Sequence, residues 1–197
     1  MRLSLLLTLL LLTPVATAQA PTEGFTVAPR IVSVGVATDN GDNADGGGGL
    51  GLRIGYGFTK TVTGYVSVEG ASIEPGDDGV FRNDEAYALG SFDLGAQFNL
   101  LPSSGINPFL RVALNGTTAR YNVDGLSTAN DPEVRGGGLT LGAGAEIRLS
   151  QVLGLELALD VTGGTIQELE VGNITIAGNG DDEYATARLG LGLVWRP

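Results

Sequence analysis

Arg53, Glu69, Asp93, Arg111, Glu146, Arg148, Glu156, Asp160 and Arg188 each lie in a stretch where apolar residues alternate one by one with small or polar ones. Carboxylates and guanidiniums in this number can transfer protons, hold a cation or neutralise one another. The chain has no His and no Cys, so disulfide frameworks, thiolate nucleophiles, Cys/His zinc sites, Ser-His-Asp triads and imidazole acid–base chemistry are excluded. What remains is chemistry by carboxylate, Arg and hydroxyl, or pairing inside a scaffold. The elements that carry these nine residues decide between the two.

Those elements are strands. From Gly49 to Phe58, Leu50, Leu52, Ile54, Tyr56 and Phe58 share one parity, and Gly49, Gly51, Arg53, Gly55 and Gly57 the other. A period of two over ten residues specifies an extended strand with one apolar face. The same pattern recurs around Val66 and Val68, from Phe92 to Phe98, Leu110 to Leu114, Leu139 to Leu149, Leu155 to Val161 and Leu189 to Trp195. In the first strand Val32, Val34 and Val36 are read as the apolar face, against Ser33, Gly35 and Ala37. Eight strands result, with no helical period between them.

Their connections alternate as well. Short turns at 59–61, 101–107 and 150–153 face long polar connections at 39–48, 74–85, 119–136 and 163–183. Short turns on one side and long loops on the other predict an all-β fold: an eight-stranded antiparallel up-and-down transmembrane β-barrel with short periplasmic turns and long extracellular loops.

Face composition assigns inside and outside. One face carries Gly, Ser, Thr and Ala together with the nine charged residues, while the other is almost uncharged. Glycine weakens a strand exposed to water, but in a narrow lumen it leaves room for long side chains. Five acids against four arginines is close to the neutrality a buried network needs. The nine residues are therefore expected to form an interior ion-pair network with a structural role, and no catalytic, cofactor or metal residue is assigned.

Aromatic placement agrees. Tyr56, Phe58, Phe98 and Trp195 fall at short-turn strand ends as an interfacial girdle; Phe25, Tyr65 and Phe109 fall there too, and Tyr87, Tyr121 and Tyr184 at or near the long-loop ends. Tyr65 and Phe109 have inward parity.

The N-terminus supplies the compartment. A basic Met1-Arg2 start, an apolar run from Leu5 to Leu12 and small residues at Ala16, Ala18 and Ala20 predict a secretory signal peptide over 1–18, cleaved after 18 or 20. The barrel domain then occupies 19–197. Losing Arg2 takes the formal charge from -11 to -12, a balance that argues against nucleic acid as a partner.

The final strand, Arg188-Leu189-Gly190-Leu191-Gly192-Leu193-Val194-Trp195, resembles the terminal-strand signal of bacterial outer-membrane barrels, with Arg188, Gly190, Leu193 and Trp195 in the signal positions. Arg196 and Pro197 follow where that family usually ends at the aromatic. With the leader, eight strands and girdle, the chain resembles the small OmpA/OmpX-like and opacity-like outer-membrane β-barrel proteins. That resemblance implies an integral outer-membrane location, with outer-membrane lipid, lipopolysaccharide and, during insertion, the barrel assembly machinery as partners.

Three functions remain open. The first is a non-enzymatic barrel with a filled interior and acidic surface loops, acting in envelope integrity or in surface interaction and adhesion. The second is a narrow porin-like channel for small solutes, which the nine interior residues should obstruct. The third is a lipid-modifying enzyme, because some eight-stranded relatives act on lipid A; those resembling a His-Ser-Glu deacylase need a His that is missing. The loops carry formal charges of -3, -4, -1 and -5, together -13. Such carboxylates keep a loop solvated, and alternatively they bridge divalent cations to lipopolysaccharide or dock a basic partner. Asp39 to Gly46 lacks the ligand spacing of a calcium loop. Alternation on both sides of Gly172-Asn173 predicts a hairpin in the last loop.

Overall fold

The computed structural model describes residues 22–38, 45–74, 86–121, 132–171, 174–177 and 182–197. The leader and the greater part of the acidic loops lie outside the described residues. Nine strands follow in order: β1 (Gly24–Thr38), β2 (Asp45–Gly57), β3 (Val62–Glu74), β4 (Tyr87–Asn99), β5 (Ile106–Tyr121), β6 (Glu133–Arg148), β7 (Leu153–Val171), β8 (Ile174–Ala177) and β9 (Glu183–Trp195). Each pairs antiparallel with its neighbours from β1 to β7, β7 pairs with β9, and β9 returns to β1. This ring of eight strands is closed and leaves no barrel edge unpaired. β8 stands outside the ring as the return arm of a hairpin, with Val171 opposite Ile174, around the turn expected at Gly172-Asn173.

The barrel strands run 13 to 19 residues, beyond the roughly 9–11 that cross a bilayer. The surplus lies on the long-connection side, where β5 reaches Tyr121 and β6 begins at Glu133. Sequence composition places both segments in loops, because their Gly and charged residues read as turn formers. Strand pairing extends through them nonetheless.

Outward positions carry a continuous apolar coat: Leu50, Leu94, Leu114, Leu141, Leu157, Leu191 and many like them are exposed. Water-soluble monomers rarely expose apolar patches beyond a few hundred Å², so this surface is built for lipid. Tyr56, Phe58, Phe98 and Trp195 are exposed at its short-turn margin, with Tyr56 and Phe58 edge to face at 5.4 Å.

β1 departs from expectation. Val32, Val34 and Val36 are buried inside, whereas Ile31, Ser33 and Ala37 face outward and Gly35 shares their side. An alternating strand fixes which residues share a face but not which face is inside, and valine packs equally well in either environment. The inverted parity brings Arg30 into the lumen, where it is 5% exposed.

Candidate functional site in the barrel lumen

In its lower and middle part the lumen is crossed by alternating charges. Asp93 accepts from Arg188 at 2.9 Å; Arg188 reaches Glu69 at 3.2 Å; Glu69 pairs with Arg30 at 3.2 Å. Arg30 donates to Asp160 at 2.9 Å, Arg111 lies 3.8 Å from Asp160 and donates to Glu156 at 2.7 Å, and Arg53 also donates to Glu156 at 2.8 Å. Every barrel strand joins this chain: β6, which supplies none of its charges, contributes Thr140, which donates to Asp93 at 3.1 Å and accepts from Arg188 at 3.2 Å. All eight charged side chains are under 10% exposed.

Small and neutral residues accommodate and trim the network. A Cβ on Gly190 would overlap the Arg30 guanidinium, and one on Gly142 the Asp160 carboxylate. Gln97 accepts twice from Arg111, Asn115 donates to Asp93 at 2.7 Å, and the Arg111 guanidinium lies over Phe109 at 4.3 Å. Phe109 and Tyr65 are thus interior partners of arginine, as their parity indicates, and not girdle residues. Four guanidiniums balance four carboxylates here. Each charge has an opposite neighbour, which lowers the desolvation cost that an isolated buried charge would carry, while Asp160 Oδ1 and Arg188 Nε are left without a hydrogen-bond partner.

The short-turn end is closed separately. Arg196 turns back into the lumen and grips Glu146 through two bonds of 2.6 Å. Arg148 forms no ion pair among the described residues and donates to the Pro102 carbonyl at 2.6 Å. Of the nine residues expected in one network, seven therefore meet at the centre, while Glu146 and Arg148 belong to the basal closure. Arg30 and Arg196 join without having been foreseen. One available signal was arithmetic, since five acids against four arginines leaves an interior carboxylate without a counterion.

Above the network the lumen changes character. Val32, Val34, Val36, Ile73, Tyr87 and Leu89 form an apolar cluster, flanked by Ala71, Ala119 and Tyr121. Tyr87, Tyr121 and Tyr184 point inward; they form no outer girdle. Tyr87 and Tyr121 stack at 5.0 Å, the Tyr87 hydroxyl donates to buried Asp45 at 3.1 Å, and the Tyr184 hydroxyl donates to Asn115 at 3.3 Å. Asp45, expected in an exposed loop, is 1% exposed at the start of β2. A cavity of about 70 Å³ opens among these rings.

On the outer surface at the same level, Glu133 accepts from Arg120 at 2.5 Å and from Arg135 at 2.6 Å. A register shift between β6 and β7 at Arg135/Gly136 turns Glu170 toward Arg135, at 3.2 Å. The two guanidiniums hold the Glu133 carboxyl below the usual carboxylate range, Arg120 contributing most. Among the described residues no group of three acids converges as a metal site.

The sequence matches the outer membrane protein beta-barrel domain family over residues 3–196. The chain belongs to this family. It is an integral outer-membrane β-barrel, and solved structures share its architecture. Neisserial surface protein A is 14% identical with a TM-score of 0.66, covering 89% of this chain and 98% of its own. OprG from Pseudomonas aeruginosa is 13% identical at 0.56, covering 90% and 97%. Ail, the attachment invasion locus protein of Yersinia pestis, is 15% identical at 0.52, covering 88% and 100%. At these identities the likeness concerns fold alone. Comparison with curated proteins finds no match.

Proposed function

We propose that this outer-membrane barrel is a non-enzymatic, non-conducting surface protein that supports the envelope and presents acidic loops for interaction or adhesion. The observation that carries this reading is the charge chain from Asp93 to Arg53, which ties all eight strands together across the lumen. A solute would have to separate several buried, mutually paired charges, and the second closure at Arg196 and Glu146 lies in the same path. The charged groups are committed to one another and not gathered beside an activated nucleophile.

Lipopolysaccharide is the proposed neighbour in the outer leaflet, and Arg188, Gly190, Leu193 and Trp195 are the proposed handle for the assembly machinery. The likeness to Ail, an attachment invasion locus protein, adds to the adhesion reading. Planar-bilayer recording of the purified, heat-modifiable protein is the test, with stable single-channel conductance as the result that overturns it. Deleting the connections at 75–85 and 178–181 should reduce cell adhesion while the barrel still inserts; unchanged adhesion removes the surface role.

A further inference from the structure

The geometry points to the outer cavity of the lumen as a binding site for the alkyl end of a small amphiphile whose head is neutral or cationic. The cavity sits at the long-connection end, walled by Val36, Leu89, Val134, Ile166 and the rings of Tyr121 and Tyr184. Hydroxyls close to it are already engaged: Tyr184 with Asn115, Thr117 with Asn115 at 2.6 Å, and Tyr87 with Asp45. A site of this composition has little to offer a polar group and favours apolar guests.

Size selects among apolar guests. A cavity that encloses benzene measures roughly 150 Å³, about twice the 70 Å³ available here. A tapering chain end of a few carbons fits where a ring does not. Thr117 and Tyr184, which line the cavity, both bond Asn115, and Asn115 bonds Asp93 at 2.7 Å and so joins the Arg188 network that closes the bore below. The guest therefore enters from the long-connection end and stops, leaving its head at a rim where Glu74, Asp182 and Glu183 are exposed. That field disfavours an anionic head and favours a neutral or cationic one. The site depends on the floor that the proposed non-conducting reading also requires, but its readout is ligand occupancy and not current.

The test uses the full chain in lipid nanodiscs, with ring NMR signals of Tyr87, Tyr121 and Tyr184 as reporters and the lipid-facing Trp195 indole as the control for bilayer partitioning. Titrated 1-hexanol should shift the tyrosine signals saturably. From 1-propanol upward, affinity should rise about fourfold per buried methylene and then level off once the cavity is filled, whereas bilayer partitioning keeps rising. Hexanoate at pH 7 should bind at least tenfold more weakly than 1-hexanol. Ala119→Phe, which fills the cavity, should abolish saturation while the heat-dependent mobility shift is retained; Leu89→Phe serves if that variant does not insert. Shifts that follow Trp195 without saturating, binding that survives the filled cavity, or hexanoate binding as tightly as 1-hexanol would overturn the proposal.

Discussion

The two halves of the lumen solve the same packing problem with opposite chemistry. Towards the short turns, arginine and carboxylate cross the barrel in an alternating chain, and glycine on the facing strands makes the space. Towards the long connections, valine, isoleucine, leucine and tyrosine fill the bore and leave a cavity. Directional bonds fix partners and geometry, so the charged half can lock strand register and leave no path. Apolar packing is non-directional, so the upper half tolerates an unfilled space that a ligand can occupy. On the proposed reading, occlusion and binding are separated by depth within one bore.

The sharpest way to break this contrast is Arg188→Ala. It removes the guanidinium shared by Glu69, Asp93, Thr140 and Thr162, leaving Glu69 with Arg30 and the buried Asp93 carboxylate without a counterion. Loss of one partner of a buried pair costs about 3–5 kcal/mol, so urea unfolding from lipid vesicles should shift by that amount. Water entering beside the unpaired Asp93 should also give cation-selective flickering current. Replacing Arg188 and Asp93 together with Met and Leu should recover most of the stability, because it removes one buried ion pair whole and leaves Arg30, Arg53 and Arg111 balanced by Glu69, Asp160 and Glu156. If the single variant is as stable as the parent and silent, the charged half is not the lock.

Ile73→Ala is the matching cut in the upper half. Ile73 has no exposed surface and packs with Val32, Val34, Tyr87 and Leu89. Truncation should cost about 2–5 kcal/mol, overlapping the cost of the charge deletion, but the same bilayer recordings should stay silent because the network below is intact. Conductance in this variant would mean that the two halves do not divide occlusion from packing in the way the comparison holds.

The same division explains what was legible from sequence. Period-two alternation gave all eight barrel strands, and a charge on one parity gave the inside face wherever a strand carried one, as in Arg53, Asp93 and Asp160. In β1 the residue that marks the inside is Arg30, which lies just ahead of the valine alternation and shares its parity. Valine facing lipid and valine filling an apolar lumen follow the same alternation. Tyr87, Tyr121 and Tyr184 failed for the same reason, since a tyrosine near a strand end suits an interface or a cavity mouth equally. Arg196 was legible only as a departure from the family's ending. Its partner Glu146 lies 50 positions away, a distance that only closure of the barrel bridges. The charged half was readable because charge has one tolerable location, and the apolar half was not because apolar residues have two.

The smallest effect belongs on the outer rim, where Glu133 takes bonds from Arg120 and Arg135. Its carboxyl is held lower in the folded barrel than in the unfolded chain. The unfolded state therefore binds the proton more readily, so the stabilisation is complete above the ordinary Glu value of about 4.3. It fades as pH falls through the lower folded value. Both guanidiniums are about half exposed, at 56% and 48%, and solvent screening keeps the contribution of such a cluster small. Glu133→Gln should remove that small acid-side loss, flatten the unfolding midpoint between pH 5 and pH 3 relative to the parent, and leave the pH 7 conductance unchanged. High salt should shrink the difference, because the rim is screened by ions that do not reach Arg188. A Glu133→Gln effect as large as that of Arg188→Ala would place the mechanical closure of the barrel at its rim, above the cavity, and reverse the order of the two halves.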